Sequence, residues 1–302
     1  MGLMKWGLEK FVKIATKVDE KREASKAPLD GVESRLDIPY LDDGHPMHTL
    51  DVFRPEGSEE TLPIIIDIHG GAWFYGNKEI NAYYCQHLAK YGFTVVNINY
   101  RLIREGQGGT FPNNLSDVFS AFKWVCDHAD EIKGDLSRVF LTGDSAGAHI
   151  ACLAAIINYD PELSAELNLK TEIDFRALAL TCGVSDLEAY EKRKIPVFKY
   201  LFKLFLGDDW KNSPYKKILT FRNTSLNLPP VFLHTSPHDF IREDVKGFYK
   251  VLQERGVESE LLYYDNEEFH QLDHVYSVLY PEWKESKETI DTLIAFFKKH
   301  GA

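Results

Sequence analysis

The chain has 302 residues, 44% of them hydrophobic, which is enough to bury a large core. Its 35 Lys and Arg face 46 Asp and Glu, a net charge of −11 without a basic run, so no nucleic-acid partner is expected and anionic substrates and membrane surfaces are disfavoured. No stretch approaches 18 apolar residues and charges interrupt Met1–Lys17, so neither a membrane span nor a signal peptide is read.

The opening segment, Leu3–Glu20, is helical in pattern, with Leu8, Phe11, Val12, Ala15 and Val18 near one face. The loop Ala24–Gly31 leads to strands at Ser34–Tyr40 and His48–Phe53, read as an antiparallel hairpin at a sheet edge. Alternation follows. Strand Pro63–Ile68 precedes helix Glu79–Tyr91, strand Thr94–Tyr100 precedes helix Leu115–His128, and strand Val139–Thr142 precedes helix Ala146–Ile157. Strand Ala177–Thr181 comes next. After an interruption come strand Pro230–His234, helix Glu243–Arg255, strand Glu258–Tyr264 and a last helix, Glu282–Lys299. Strands alternating with helices predict an α/β fold, a mostly parallel sheet of about eight strands covered by helices on both faces. The interruption, Asp186–Leu228, holds the apolar helical run Ile195–Leu206. It reads either as a core helix or as a helical cap over the mouth of a site, with the N-terminal helix joining it. Phe198, Leu201, Phe202 and Phe205 are its side chains of interest.

Two glycine motifs lie at carboxyl ends of predicted strands, where ligands of such sheets bind. His69-Gly70-Gly71-Ala72-Trp73 follows Pro63–Ile68, and Gly143-Asp144-Ser145-Ala146-Gly147 follows Val139–Thr142. A G-x-S-x-G at a strand-to-helix turn exposes a serine hydroxyl on a tight bend. A Gly-rich turn nearby can aim backbone N–H groups at the same point. Together they provide a nucleophile, Ser145, and an oxyanion hole, which are the parts acyl transfer needs most.

On these motifs the chain resembles the α/β-hydrolase fold, and within it the hormone-sensitive-lipase-like esterases, which carry HGG[GA] and GDSAG. The likeness runs from about residue 35 to the end. It implies one α/β-hydrolase domain over 1–302, with cap elements at about 1–30 and 186–228. It also implies a serine, acid, histidine order along the chain. The acid expected is Asp239, in Asp239-Phe240-Ile241-Arg242-Glu243, with Asp244 as rival. The base expected is His274, followed by Val275-Tyr276 and by Pro281 before the last helix, with His270 as rival in the same loop. Val275 departs from the family's usual glycine. The oxyanion hole is expected from the N–H groups of Gly71, Ala72 and Ala146; Ala72 stands where HGGG has its third glycine, which a backbone donor tolerates if φ stays negative. His69 and Asp144 read as residues that order the two loops, and His149 as a core histidine. Trp73, Phe198 and Phe202 are expected to bind substrate.

No H-E-x-x-H or other metal spacing occurs, so no metal and no cofactor are expected. Cys85, Cys126, Cys152 and Cys182 sit in apolar segments without paired spacing, as in a cytoplasmic protein. The resemblance implies a serine carboxylesterase for short, acetyl-type esters. An aryl formamidase of the same fold is the alternative, and a receptor-like homologue without catalysis a further one. The partner expected is a small-molecule ester, with a homodimer left open.

Overall fold

The computed structural model describes residues 2–104, 108–111, 113–192 and 196–302. Its strands are β1 (Val32–Pro39), β2 (Thr49–Pro55), β3 (Leu62–Ile68), β4 (Thr94–Ile98), β5 (Gly134–Asp144), β6 (Phe175–Thr181), β7 (Val231–Thr235) and β8 (Ser259–Tyr263). They form one sheet in the order β1-β2-β4-β3-β5-β6-β7-β8. β2 runs antiparallel to β1 and to β4, and the strands from β4 to β8 are parallel. The expected hairpin is therefore the sheet's edge, and the rest is the expected parallel sheet of an α/β-hydrolase fold.

Parallel strands covered on both faces carry near-continuous apolar runs, and successive side chains serve opposite faces. In β3, Ile64, Ile66 and Ile68 join one core with Val139, Leu141, Leu178 and Leu233. That core lies under helices α3 (Asn113–Asp127), α4 (Ala146–Tyr159) and α8 (Arg242–Glu254). Ile65 points the other way, into a second core with Phe140 and Phe232. Helices α2 (Lys78–Ala89) and α10 (Lys284–Lys299) cover this second core.

The segment after β6 holds helices α6 (Leu187–Lys192) and α7 (Pro196–Leu206) and two 3₁₀ turns, Pro214–Leu219 and Phe221–Asn223. Leu201, Phe202 and Phe205 of α7 are buried in the first core. Helix α5 (Pro161–Leu167) was not anticipated from the apolar pattern because it is only about two turns long. A local signal marks it: the Asp160 carboxylate caps it by accepting the Glu162 and Leu163 N–H groups at 3.1 Å, with Pro161 in the first turn. Helix α1 (Gly2–Ala24) packs on the outside, and no helix of the described residues is long and apolar enough to cross a membrane.

Two buried positions test this packing. At Gly147, where α4 meets the end of β3, an added Cβ would fall within 2.5 Å of the His69 carbonyl oxygen and closer still to that of Ile68. Backbone on both sides cannot yield. Gly147→Ala should therefore destabilise the protein by about 1–3 kcal/mol, read as a lower urea midpoint. An unchanged midpoint would mean that α4 does not rest on β3. Asp67 is the charged residue of the otherwise apolar β3. Burial, and then the neighbouring Asp144, push its pKa from 3.8 up to about 7. The folded protein then holds a proton that the unfolded chain has released across that window, so this group makes stability fall as pH rises through it. Asp67→Asn should flatten that decline when urea midpoints of the two proteins are compared from about pH 5 to 8. Parallel curves would show Asp67 already ionised at the acid end.

Candidate active site

Ser145 sits between β5 and α4 with φ 51° and ψ −115°, a conformation that costs a non-glycine residue energy. The bend is held because the Ser145 N–H donates to the Thr181 carbonyl at 2.8 Å, and its own carbonyl accepts the His149 N–H at 3.2 Å. The side chain is thereby presented at the end of the sheet. Its Oγ lies 2.9 Å from Nε2 of His274. Nδ1 of the same imidazole lies 2.6 Å from Oδ1 of Asp239.

Asp239 follows β7 and is wholly buried. Burial acts to raise its pKa, but the bond and charge of His274, the Thr235 hydroxyl at 2.6 Å and the Ile241 N–H at 3.0 Å outweigh it. The net result is a pKa below the ordinary carboxylate value. The group is thus held ionised beside the imidazole. His274 is held by the turn that follows. Val275 takes the left-handed conformation, φ 54° and ψ 27°, and begins the short helix α9 (Tyr276–Leu279). A glycine would adopt this at no cost, which explains in physical terms why valine stands out there. The Val275 N–H points to Cys182 Sγ at 3.5 Å, and Cys182 itself has φ 49°.

The rival residues lie elsewhere. His270 places Nδ1 3.0 Å from the buried Glu285 carboxylate and stacks on Trp283 at 3.9 Å. Asp244 accepts from the Ser185 hydroxyl and the Ser185 N–H, tying α8 to the loop after β6. His149 Nε2–H donates to the Leu219 carbonyl, 3.2 Å away, and burial lowers its pKa to about 4, so it is a neutral core residue.

The loop after β3 is fastened to the serine turn by one carboxylate. Asp144 Oδ1 accepts the Gly70 N–H at 2.9 Å and the Asn81 amide at 2.9 Å. The same Asn81 amide reaches Asp67 Oδ2 at 2.8 Å. A Cβ at Gly70 would collide with the Asp144 side chain and lie 2.9 Å from its carbonyl oxygen. Neither Asn81 nor Asp67 stood out in the sequence. Asn81 is placed by the start of α2, where the Lys78 N–H donates to Asn99 Oδ1 at 2.7 Å, and buried Lys78 Nζ pairs with Asp51 at 2.9 Å. The His69 ring stacks on Tyr100 at 4.5 Å, and burial lowers its pKa to about 4, so it supports the loop uncharged.

The Gly71 and Ala72 N–H groups make no hydrogen bond among the described residues, while the Gly71 carbonyl accepts from Phe74 and Tyr75 at 3.2 and 3.0 Å. The Ala146 N–H is the first of α4 and so has no acceptor within its helix. One expectation is corrected here. Ala72 has φ 49° and Trp73 φ 65°, both left-handed rather than extended, because the chain must reverse between Gly71 and the Trp73 carbonyl, which accepts from Ile103 at 2.8 Å.

The expected binding side chains are mostly packed away. Trp73 is 3% exposed and meets His149 and Phe205 edge-on, each at 5.3 Å. Phe202 is likewise 3% exposed and stacks on Trp210 at 5.0 Å. Phe202 and Phe205 lie three residues apart on one face of α7, both in the first core; Phe205 reaches Trp73 and Phe202 reaches Trp210. The side chain of Phe198 lies outside the described residues. Phe240, next to Asp239, is 75% exposed and lies 4.3 Å from the His274 ring. The apolar residue in that turn was visible in the sequence, but its position over the imidazole was not.

Among the described residues, Cys182, Asp239 and His274 bring possible metal ligands within 4.8 Å of one another. Burial pushes the Cys182 thiol well above its ordinary pKa, whereas metal binding needs the thiolate. Asp239 and His274 are already committed to each other and to Ser145. The arrangement suits proton transfer. The imidazole can take the Ser145 proton while an ionised carboxylate fixes its tautomer and stabilises its charge.

Comparison with known proteins places the chain in a family. The BD-FAE family model matches residues 50–246. The chain is 30% identical over 228 residues to the probable carboxylic ester hydrolase LipM of Mycobacterium tuberculosis, covering 72% of this chain and 51% of that protein. It is 28% identical over 218 residues to carboxylesterase NlhH of the same organism, covering 70% and 66%. The chain thus spans between half and two thirds of the length of these curated relatives. Among solved structures, esterase B from Lactobacillus rhamnosis superposes with a TM-score of 0.91 at 26% identity, covering 99% of this chain and 95% of that one. The same enzyme inhibited by a C4-C4 tributyrin phosphonate gives the same score. With its sheet order, its serine turn and a family match over most of its length, the chain belongs to the BD-FAE family, among the hormone-sensitive-lipase-like esterases of the α/β-hydrolase fold.

Proposed function

We propose that the protein is a carboxylic ester hydrolase acting on short acyl chains, with Ser145 as nucleophile, His274 as base and Asp239 as its orienting acid. The observation that carries the reading is the continuous contact from Asp239 through both nitrogens of His274 to Ser145 Oγ. The relatives named as carboxylesterases support it.

In this reading Ser145 Oγ attacks the ester carbonyl carbon as His274 Nε2 takes its proton. The carbonyl oxygen becomes an oxyanion held by the Gly71, Ala72 and Ala146 N–H groups, the last helped by the positive end of the α4 dipole. His274 then gives the proton to the departing alkoxide, and the alcohol leaves an acyl-serine. Water attacks that acyl group with His274 again as base, which releases the acid and restores Ser145. No metal enters these steps. Residues about 1–30 and 186–228 act as cap elements of a single domain. Phe11 of α1 lies 6.3 Å from both Phe74 and Tyr75, and Phe205 of α7 meets Trp73, so both segments adjoin the chain just after Ala72. The bulk of Trp73 and Phe205 beside that loop supports a short acyl preference, as does the C4 phosphonate seated in the related esterase B. The four unpaired cysteines suit a reducing, cytoplasmic setting.

Ser145→Ala should lower kcat on 4-nitrophenyl butyrate by at least about a thousandfold with the fold intact. His274→Ala should do nearly the same, and His270→Ala should stay within about tenfold of wild type. Reversal of the two histidine variants would move the base to His270. Wild-type enzyme should also turn over butyryl faster than palmitoyl esters, and faster than N-formyl anilides. Preference for the anilide would instead support the formamidase reading, and preference for palmitate would refute the short-chain one.

A further inference from the structure

Helix α1 is 23 residues long, yet none of its described residues is fully buried. It is apolar on two sides. One side, with Leu8 and Val12, packs partly against the first core. The other presents Phe11, Ile14 and Val18 to solvent, at 54%, 55% and 59% exposure. Their 3,4 spacing sets them in one row along the helix. Lys10, Lys13, Lys17 and Lys21 form a second exposed row, spaced 3,4,4, one residue and so about 100° of turn away from the first. None of the four lysines makes an ion pair among the described residues. Trp6 is 58% exposed at the head of the lysine row, with Lys10 Nζ 5.1 Å from its ring centre. Glu9 and Glu20, also exposed, flank the lysine row and line the cavity between α1 and Phe74 together with Lys13 and Lys17.

Beneath the helix two cavities of about 520 and 450 Å³ run past Val12, Thr16, Glu20 and Arg104. The underside of α1 is therefore held sparingly, and of its outer apolar row only Phe11 meets other rings, those of Phe74 and Tyr75. An unbroken row of cations beside an apolar row, on a chain whose net charge is −11, is a local reversal of the protein's field.

We propose that α1 is a docking helix for an anionic phospholipid surface. Phe11, Ile14 and Val18 would enter the headgroup–acyl boundary, while the four lysines pair with lipid phosphates and Trp6 sits at headgroup level. A neutral apolar partner would leave the lysine row unmatched, whereas an anionic bilayer matches both rows at once. The overall acidity does not oppose this, because screening confines surface fields to roughly 10 Å and only the face of α1 approaches the bilayer. Because Phe11 also touches Phe74 and Tyr75, docking sets the end of the sheet that bears Ser145 toward the lipid. Binding itself does not depend on the esterase reading.

The full-length protein should co-sediment with vesicles of phosphatidylcholine mixed with phosphatidylglycerol at low salt, bind pure phosphatidylcholine weakly, and dissociate as salt is raised. Both Lys10→Glu/Lys17→Glu/Lys21→Glu and Ile14→Asp/Val18→Asp should weaken that binding at least about tenfold, with unchanged circular dichroism and thermal midpoint. Failure of the wild type to bind anionic vesicles would overturn the proposal whatever the variants do. So would equal binding by both variants. Light scattering that shows a wild-type dimer converted to monomer by Ile14→Asp/Val18→Asp would assign the face to a second copy of the chain instead.

Discussion

The site depends on one carboxylate. Asp144 ends β5 immediately before Ser145, and its side chain reaches back to the Gly70 N–H, one residue before Gly71. A single group thereby sets the distance between the serine turn and the loop that carries Gly71 and Ala72. The link is made in a buried, low-dielectric place, where a hydrogen bond to a charged or partly charged oxygen is strong and an unmet one costly. Burial raises the Asp144 pKa, and the bonds from Asn81 and Gly70 oppose that rise. Asn81 divides its amide between Asp144 and Asp67, so two buried carboxyl groups share one donor. The proton that keeps this pair from repelling itself belongs most readily to Asp67.

Around this link the backbone is held in conformations that ordinary residues avoid. Ala72, Trp73, Ser145, Cys182 and Val275 all have positive φ, and all lie at or beside the site. Each costs of order 1–3 kcal/mol, which the surrounding packing must offset. The offset is visible in the two cores that clamp the sheet, and in the bonds that hold three of the five strained residues: Ser145 to Thr181, Cys182 to His234, Val275 to Cys182. Strain of this kind holds these turns and the Ser145 hydroxyl in one arrangement.

The histidines show how burial assigns roles. His69, His149 and His234 are fully enclosed, and burial holds each near pKa 4, so they pack and bond as neutral rings. His270 is occupied by Glu285 and Trp283. His274 keeps 18% of its side chain exposed, with an ionised partner behind it and a hydroxyl in front.

The eight strands, the edge hairpin and the covering helices were legible because each strand is an apolar run and each helix a periodic one, and these patterns are local. Ser145 was legible for the same reason: its glycines encode a tight bend within five residues. Asp239 and His274 were named through the order of residues along the chain, but their choice over Asp244 and His270 is a tertiary matter. Only the crossing of β7, α9 and α10 decides which histidine faces Ser145 and which faces Glu285. The left-handed turn at Ala72, the inward phase of Phe202, the outward Phe240 and the Asp67–Asn81–Asp144 link were likewise decided by packing between elements far apart in sequence. The physical reason is common to all of them. A periodic pattern states that a residue is buried, while its partner is fixed only when the sheet brings separate strand ends together.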